Sequence, residues 1–156
     1  MAGLINGIVQ AVLFFGLLLA ASAWDIRKRI IPDALSALIF CTGLLTFTPS
    51  KLTGILLGMP LLIGALLAEY RQIGGIGGGD IKLAAACGFV LGIPAGTAGL
   101  ILGLTAFCAS YVALKAFCKI RKFSQPSAEQ TALPMAPFLS AGFITVYFMN
   151  FGGFIV

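Results

Sequence analysis

The chain has 156 residues, 60% of them hydrophobic and 10% charged, with a mean hydropathy of +1.07 and a formal net charge of +5. A soluble domain carries about 25% charged residues, so this composition excludes a water-solvated fold for most of the chain and points to lipid. There is no histidine, and the only acids are Asp25, Asp33, Glu69, Asp80 and Glu129, which excludes serine–histidine and cysteine–histidine catalysis, HExxH zinc sites and haem ligation through imidazole.

Charge-free stretches cover residues 1–24, 34–50, 52–68, 83–114 and 130–156. The first predicts a membrane helix over 3–24; Met1–Gln10 lacks a basic n-region, so no cleaved signal peptide is expected. Spans over 34–48 and 52–70 follow, separated by Lys51. As one helix, 83–114 would reach about 48 Å, against a hydrocarbon core of about 30 Å. It also holds the breaker cluster Gly92-Ile93-Pro94-Ala95-Gly96, so it divides into helices over 81–93 and 97–118. Lys119–Gln130, with Ser124-Gln125-Pro126-Ser127, reads as a polar loop. Leu133-Pro134-Met135-Ala136-Pro137 then leads into a last helix over 137–156. The expectation is an all-α membrane protein, a six-transmembrane-helix bundle forming a single membrane-embedded domain over 1–156, with both termini on the outer side.

Alternating crossings place Arg27, Lys28, Arg29, Arg71, Lys82, Lys115, Lys119, Arg121 and Lys122 on one side and Lys51 alone on the other. The positive-inside rule makes the first side cytoplasmic, and all five acids fall there too. A multi-pass protein of the inner (plasma) membrane is expected, with lipid as a partner. Nucleic acid is not, because no basic stripe lies in a soluble segment. Cys41, Cys87, Cys108 and Cys118 show no CxxC spacing and read as small hydrophobes in helices. Small-xxx-small pairs such as Gly54/Gly58 and Gly99/Gly103 suit close helix packing within one chain, so a monomer is expected.

The carboxylates divide by context. Asp25 ends the first apolar run beside Arg27, Lys28 and Arg29, as an interfacial partner of those bases or as a reactive group. Asp80 follows Gly74-Gly75-Ile76-Gly77-Gly78-Gly79, too glycine-rich for a firm helical turn. Irregular backbone at that depth implies a surrounding cavity, and an N-cap role for Asp80 stands beside a catalytic one. Asp33, after Pro32, reads as a helix cap, and Glu69 and Glu129 as interfacial acids. Lys82 meets either a lipid phosphate or a carboxylate. Two carboxylates held close cannot both ionise easily, so one keeps a proton while the other draws one from water. Asp25 and Asp80 stand at helix ends where such convergence is geometrically possible, although nothing in the spacing forces it.

Gly77-Gly78-Gly79-Asp80 resembles the GxGD signature of intramembrane aspartyl proteases, and Gly79-Asp80-Ile81-Lys82-Leu83 its prepilin peptidase form. Asp25-Ile26-Arg27-Lys28-Arg29-Ile30-Ile31-Pro32-Asp33 is similar to that family's first-aspartate segment, D-I-x-x-x-x-I-P-[ND]. Leu133–Leu139 resembles its proline-rich approach to the last helix. The resemblance is to the type IV prepilin (leader) peptidases, and it implies an aspartic-type endopeptidase that removes a basic leader from pilin-like or preflagellin-like precursors at the cytoplasmic face. It implies Asp25 and Asp80 as the catalytic pair and Gly77, Gly78, Gly79 and Lys82 as the active-site loop, with no cofactor and no metal. A short form is expected, without the cysteine-bearing cytoplasmic domain of longer members and without their N-methyltransferase activity. Two other classes remain open at this point. A small transporter or channel predicts solute flux, and a non-catalytic assembly factor predicts pilin binding without cleavage.

Overall fold

The computed structural model describes residues 2–72, 77–120 and 134–151, as six α-helices and one 3-10 helix. In chain order these are α1 (Ala2–Lys28), α2 (Asp33–Leu44), the 3-10 helix Pro49–Leu57, α3 (Gly58–Tyr70), α4 (Gly78–Leu91), α5 (Ile93–Ile120) and α6 (Ala136–Phe151). Glu129, Gly74–Ile76 and most of the loop expected over Lys119–Gln130 lie outside the described residues; Lys119 and Ile120 close α5.

Local chemistry sets the boundaries. Arg29 takes a left-handed conformation (φ 53°) and donates its N–H to the Asp25 carbonyl at 2.8 Å, which closes the last turn of α1. Pro32 then enters α2 in an extended conformation (φ −61°, ψ 134°). The 3-10 helix has Pro49 in its first turn, where the missing N–H costs nothing. Gly92 separates α4 from α5 by itself, at a φ of 79° that a side chain would strain.

The six-span bundle expected from the charge-free stretches does not form. Among the described residues, three segments are long and apolar enough to cross a membrane: Ile5–Lys28, Pro49–Tyr70 and Ile93–Phe117, with 24, 22 and 25 residues. The others, α2, α4 and α6, have 12, 14 and 16 residues. At about 1.5 Å per residue they reach roughly 18, 21 and 24 Å, short of a hydrocarbon core of about 30 Å. A charge-free interval can be longer than the helix inside it. In 34–50, α2 stops at Leu44, and the chain then turns through Thr46–Thr48 into the 3-10 helix. The placement of both termini on the outer side rested on six crossings and falls with them. Apolar helices of membrane length nonetheless make this a multi-pass membrane protein, and they leave Val12, Leu19, Leu66 and Ile101 exposed on their outer surfaces.

The short helix α4 sits at the centre. Leu83, Ala84, Ala86, Cys87, Phe89 and Val90 are buried, and α4 touches α2, α3, α5, α6 and the 3-10 helix. Small residues allow this crowding. A Cβ at Gly54 would strike the Gly88 carbonyl, and one at Gly142 would strike the Gly99 carbonyl of α5. The glycine pairs seen in the sequence therefore serve contacts inside one chain. Phe40 stacks on Phe89 at 4.2 Å between ring centres, closing the α2–α4 face.

Candidate active site

Asp25 lies in the last turn of α1 and Asp80 in the first turn of α4. Two contacts draw their segments together. Ile31, buried after the reversal at Arg29, packs against Gly79, where a Cβ would come within 2.9 Å of the Ile31 Cβ. Lys82, on the next turn of α4, pairs with Asp33 at the start of α2, Nζ to Oδ1 2.7 Å. One contact is apolar and one ionic, and Asp25 and Asp80 belong to the two segments so joined.

Asp25 is 7% exposed, and its Oδ2 accepts the Ala136 N–H at 3.0 Å. The acid therefore sits at the negative end of one helix and the positive end of another. The N-terminus of α6 offsets the unfavourable dipole of α1. Asp80 is half-buried and has less support. Its Oδ1 is buried without a hydrogen-bond partner among the described residues. Burial first, and the Asp25 charge second, push its carboxyl up to about 6 from the usual 3.8. Asp80 stands outside the three membrane-length segments.

Several expectations change here. Asp80 is helical instead of lying on irregular backbone, because Gly77 occupies the N-cap position and α4 starts at Gly78; the Asp80 N–H donates to the Gly77 carbonyl at 3.0 Å. Gly77 leaves room for the carboxylate, since a Cβ there would sit 3.2 Å from Asp80 Oδ2. Gly78 faces open space and Gly79 receives Ile31, so the three glycines differ in their surroundings. Asp33 makes no side-chain cap, because Pro32 holds that position, and its carboxylate takes Lys82 instead. Glu69 lies near the end of α3, away from any ion pair recorded among the described residues. Among the described residues no three His, Cys, Asp or Glu side chains gather as metal ligands would.

Sequence reasoning did not single out Ile31 or Ala136 as parts of this site. The isoleucine stood inside the quoted pattern and was legible there. The backbone N–H of Ala136 carries no sequence signal.

The profile of the type IV leader peptidase family matches residues 12–119, a range that holds both aspartates. The chain belongs to that family. A prepilin leader peptidase/N-methyltransferase of Bacillus subtilis (strain 168) is 32% identical over 144 residues, covering 88% of this chain and 54% of that protein. The chain thus spans about half the length of this relative. No solved structure matches.

Proposed function

We propose that this chain is an aspartic endopeptidase of the plasma membrane that removes the basic leader from pilin-like precursors at the cytoplasmic face, with Asp25 and Asp80 as its catalytic pair. One observation carries the reading: Asp80 is a half-buried carboxyl with an unpartnered oxygen, raised to about 6 by burial and by the charge of Asp25. A carboxyl held near neutrality beside a second one is the arrangement that general acid–base hydrolysis of a peptide requires.

In the proposed reaction, Asp80 acts as the acid in its protonated form and Asp25 acts as the base. Asp25 takes a proton from a water molecule as the water oxygen attacks the scissile carbonyl carbon. Asp80 gives its proton to the carbonyl oxygen. The resulting tetrahedral diol collapses as the C–N bond breaks, a proton passes from Asp25 to the leaving amine, and a diol proton returns to Asp80. The pair ends as it began. Gly77, Gly78 and Gly79 form the backbone that brings substrate near Asp80, while Lys82 holds α4 to α2 through Asp33. The cytoplasmic orientation is supported by the cluster of Arg27, Lys28, Arg29 and Lys82 in the same segments as the aspartates. The proposal covers the peptidase activity in the relative's name and not the methyl transfer.

The test is co-expression with a pilin-like precursor, with the precursor mass read by mass spectrometry. The chain as it stands should remove the leader, and Asp25→Asn and Asp80→Asn should leave the precursor intact. Near-normal cleavage by either variant would sink the dyad. Solute flux in proteoliposomes without cleavage would favour a transporter instead.

A further inference from the structure

Some 15 residues before Asp25, and so about 22 Å up α1, the bundle carries a second polar site that the peptidase reading does not use. A cleft of about 320 Å³ opens there, lined by Gln10, Lys51, Val90, Leu91, Tyr147 and Asn150. Its polar groups form a directed chain. Lys51 Nζ donates to the Thr46 carbonyl at 3.0 Å and to Thr46 Oγ1 at 2.9 Å. The Thr46 hydroxyl, already accepting from an ammonium, donates onward to Gln10 Oε1 at 2.7 Å.

In that order the Gln10 amide turns its oxygen to Thr46. Its oxygen is engaged by Thr46, so its NH2 group must look elsewhere, and Gln10 Nε2 is buried with no hydrogen-bond partner among the described residues. The residue is only 3% exposed, so bulk water does not satisfy it. Lys51 has spent two of its three donors and pairs with no carboxylate among the described residues. The cleft therefore combines a positive charge with spare N–H donors, and none of its described lining residues is an acid.

We propose that this cleft binds a phosphate-ester oxyanion, taken from the headgroup of a membrane phospholipid. The charge and the donors call for an oxyanion; the surroundings favour the lipid. Lys51 stands near the start of the membrane-length segment Pro49–Tyr70. Leu44, Leu45, Phe47, Leu52 and Met149, close in sequence to the polar groups of the site, are exposed apolar side chains that acyl chains would cover. Basic pockets between membrane helices hold headgroups by this combination of charge and apolar rim.

The experiment uses the detergent-purified, delipidated full chain and follows its thermal unfolding. Dioleoyl phosphatidylglycerol at about tenfold excess over its dissociation constant should raise the midpoint by about 4 °C. Inorganic phosphate at the same concentration should give no shift. Lys51→Met should abolish the lipid shift, Lys51→Arg should keep it, and Gln10→Met should reduce it while leaving Lys51 in place. An equal shift from inorganic phosphate overturns the lipid as the source. No shift with lipid, or an undiminished shift in both Lys51→Met and Gln10→Met, overturns the site.

Discussion

Asp80→Asn should stabilise the protein while abolishing cleavage. The Asp80 carboxyl rises from 3.8 to about 6 on folding, first because it is buried and then because Asp25 is near. The folded state therefore holds a proton that the unfolded state releases, and stability falls as pH rises between those values. Below about pH 4 both states are protonated and there is no penalty. Above about pH 6 the full penalty stands. A rise of about two units corresponds to about 3 kcal/mol, and partial solvent access at the site reduces it to about 1 kcal/mol. Asparagine has nearly the same shape and does not ionise, so the variant recovers that amount above pH 6. Thermal or denaturant unfolding in detergent, followed by the fluorescence of Trp24 at pH 4 and pH 7.5, measures it. The variant should match the parent at the lower pH and exceed it by about 1 kcal/mol at the higher. A variant less stable than the parent at pH 7.5, or a difference that ignores pH, would refute the account and make Asp80 a structural residue. Stability gained as activity is lost is the expected signature of a carboxylate kept for chemistry.

Asp25 should behave differently. Asp25→Asn keeps an oxygen for the Ala136 N–H and should lose cleavage with little change in unfolding, whereas Asp25→Ala should also lose about 1 kcal/mol, as removal of a helix cap does. The pH profile of kcat/KM should decline above about pH 6 as Asp80 loses its proton, and a profile flat to pH 8 would remove Asp80 as the acid. Gly54→Ala drives a methyl into the Gly88 carbonyl and should cost about 3 kcal/mol or prevent folding, while Gly78→Ala, with open space around it, should fold as well as the parent in the same unfolding assay. Breaking the exposed Lys82–Asp33 pair with Lys82→Met should change stability by less than about 1 kcal/mol, less still at high salt.

The all-helical character and a break within Gly92–Gly96 were legible because they follow from composition and from helix-breaking residues, although the helices expected over 81–93 and 97–118 meet at Gly92 itself. The number of membrane-length helices was not. A charge-free interval such as 34–50 can hold a 12-residue helix and a turn, and both read as apolar until the helix end is seen. For the candidate site, Asp25 and Asp80 were legible as candidates from their flanking patterns. The role of Asp33 was not, since its partner Lys82 lies 49 residues away and many bases compete for it in a single sequence. The glycine run before Asp80 reads as one stretch of irregular backbone, yet Gly77, Gly78 and Gly79 face a carboxylate, open space and Ile31 in turn. Spacing reports that side chains are missing, and only packing reports what fills the room.

The hydrogen bond from Ala136 to Asp25 joins residues 111 apart, and α6 follows every other helix in chain order. During synthesis, α1 emerges before α6 and carries its acid without that partner until α6 has been made and docked. The Asp25 carboxylate is thus among the last groups to reach its final setting. Long-range contacts of this kind form late, after the intervening chain has closed its loops. A nascent chain halted before α6 would hold both aspartates and the whole of their flanking patterns, yet Asp25 would lack the Ala136 N–H.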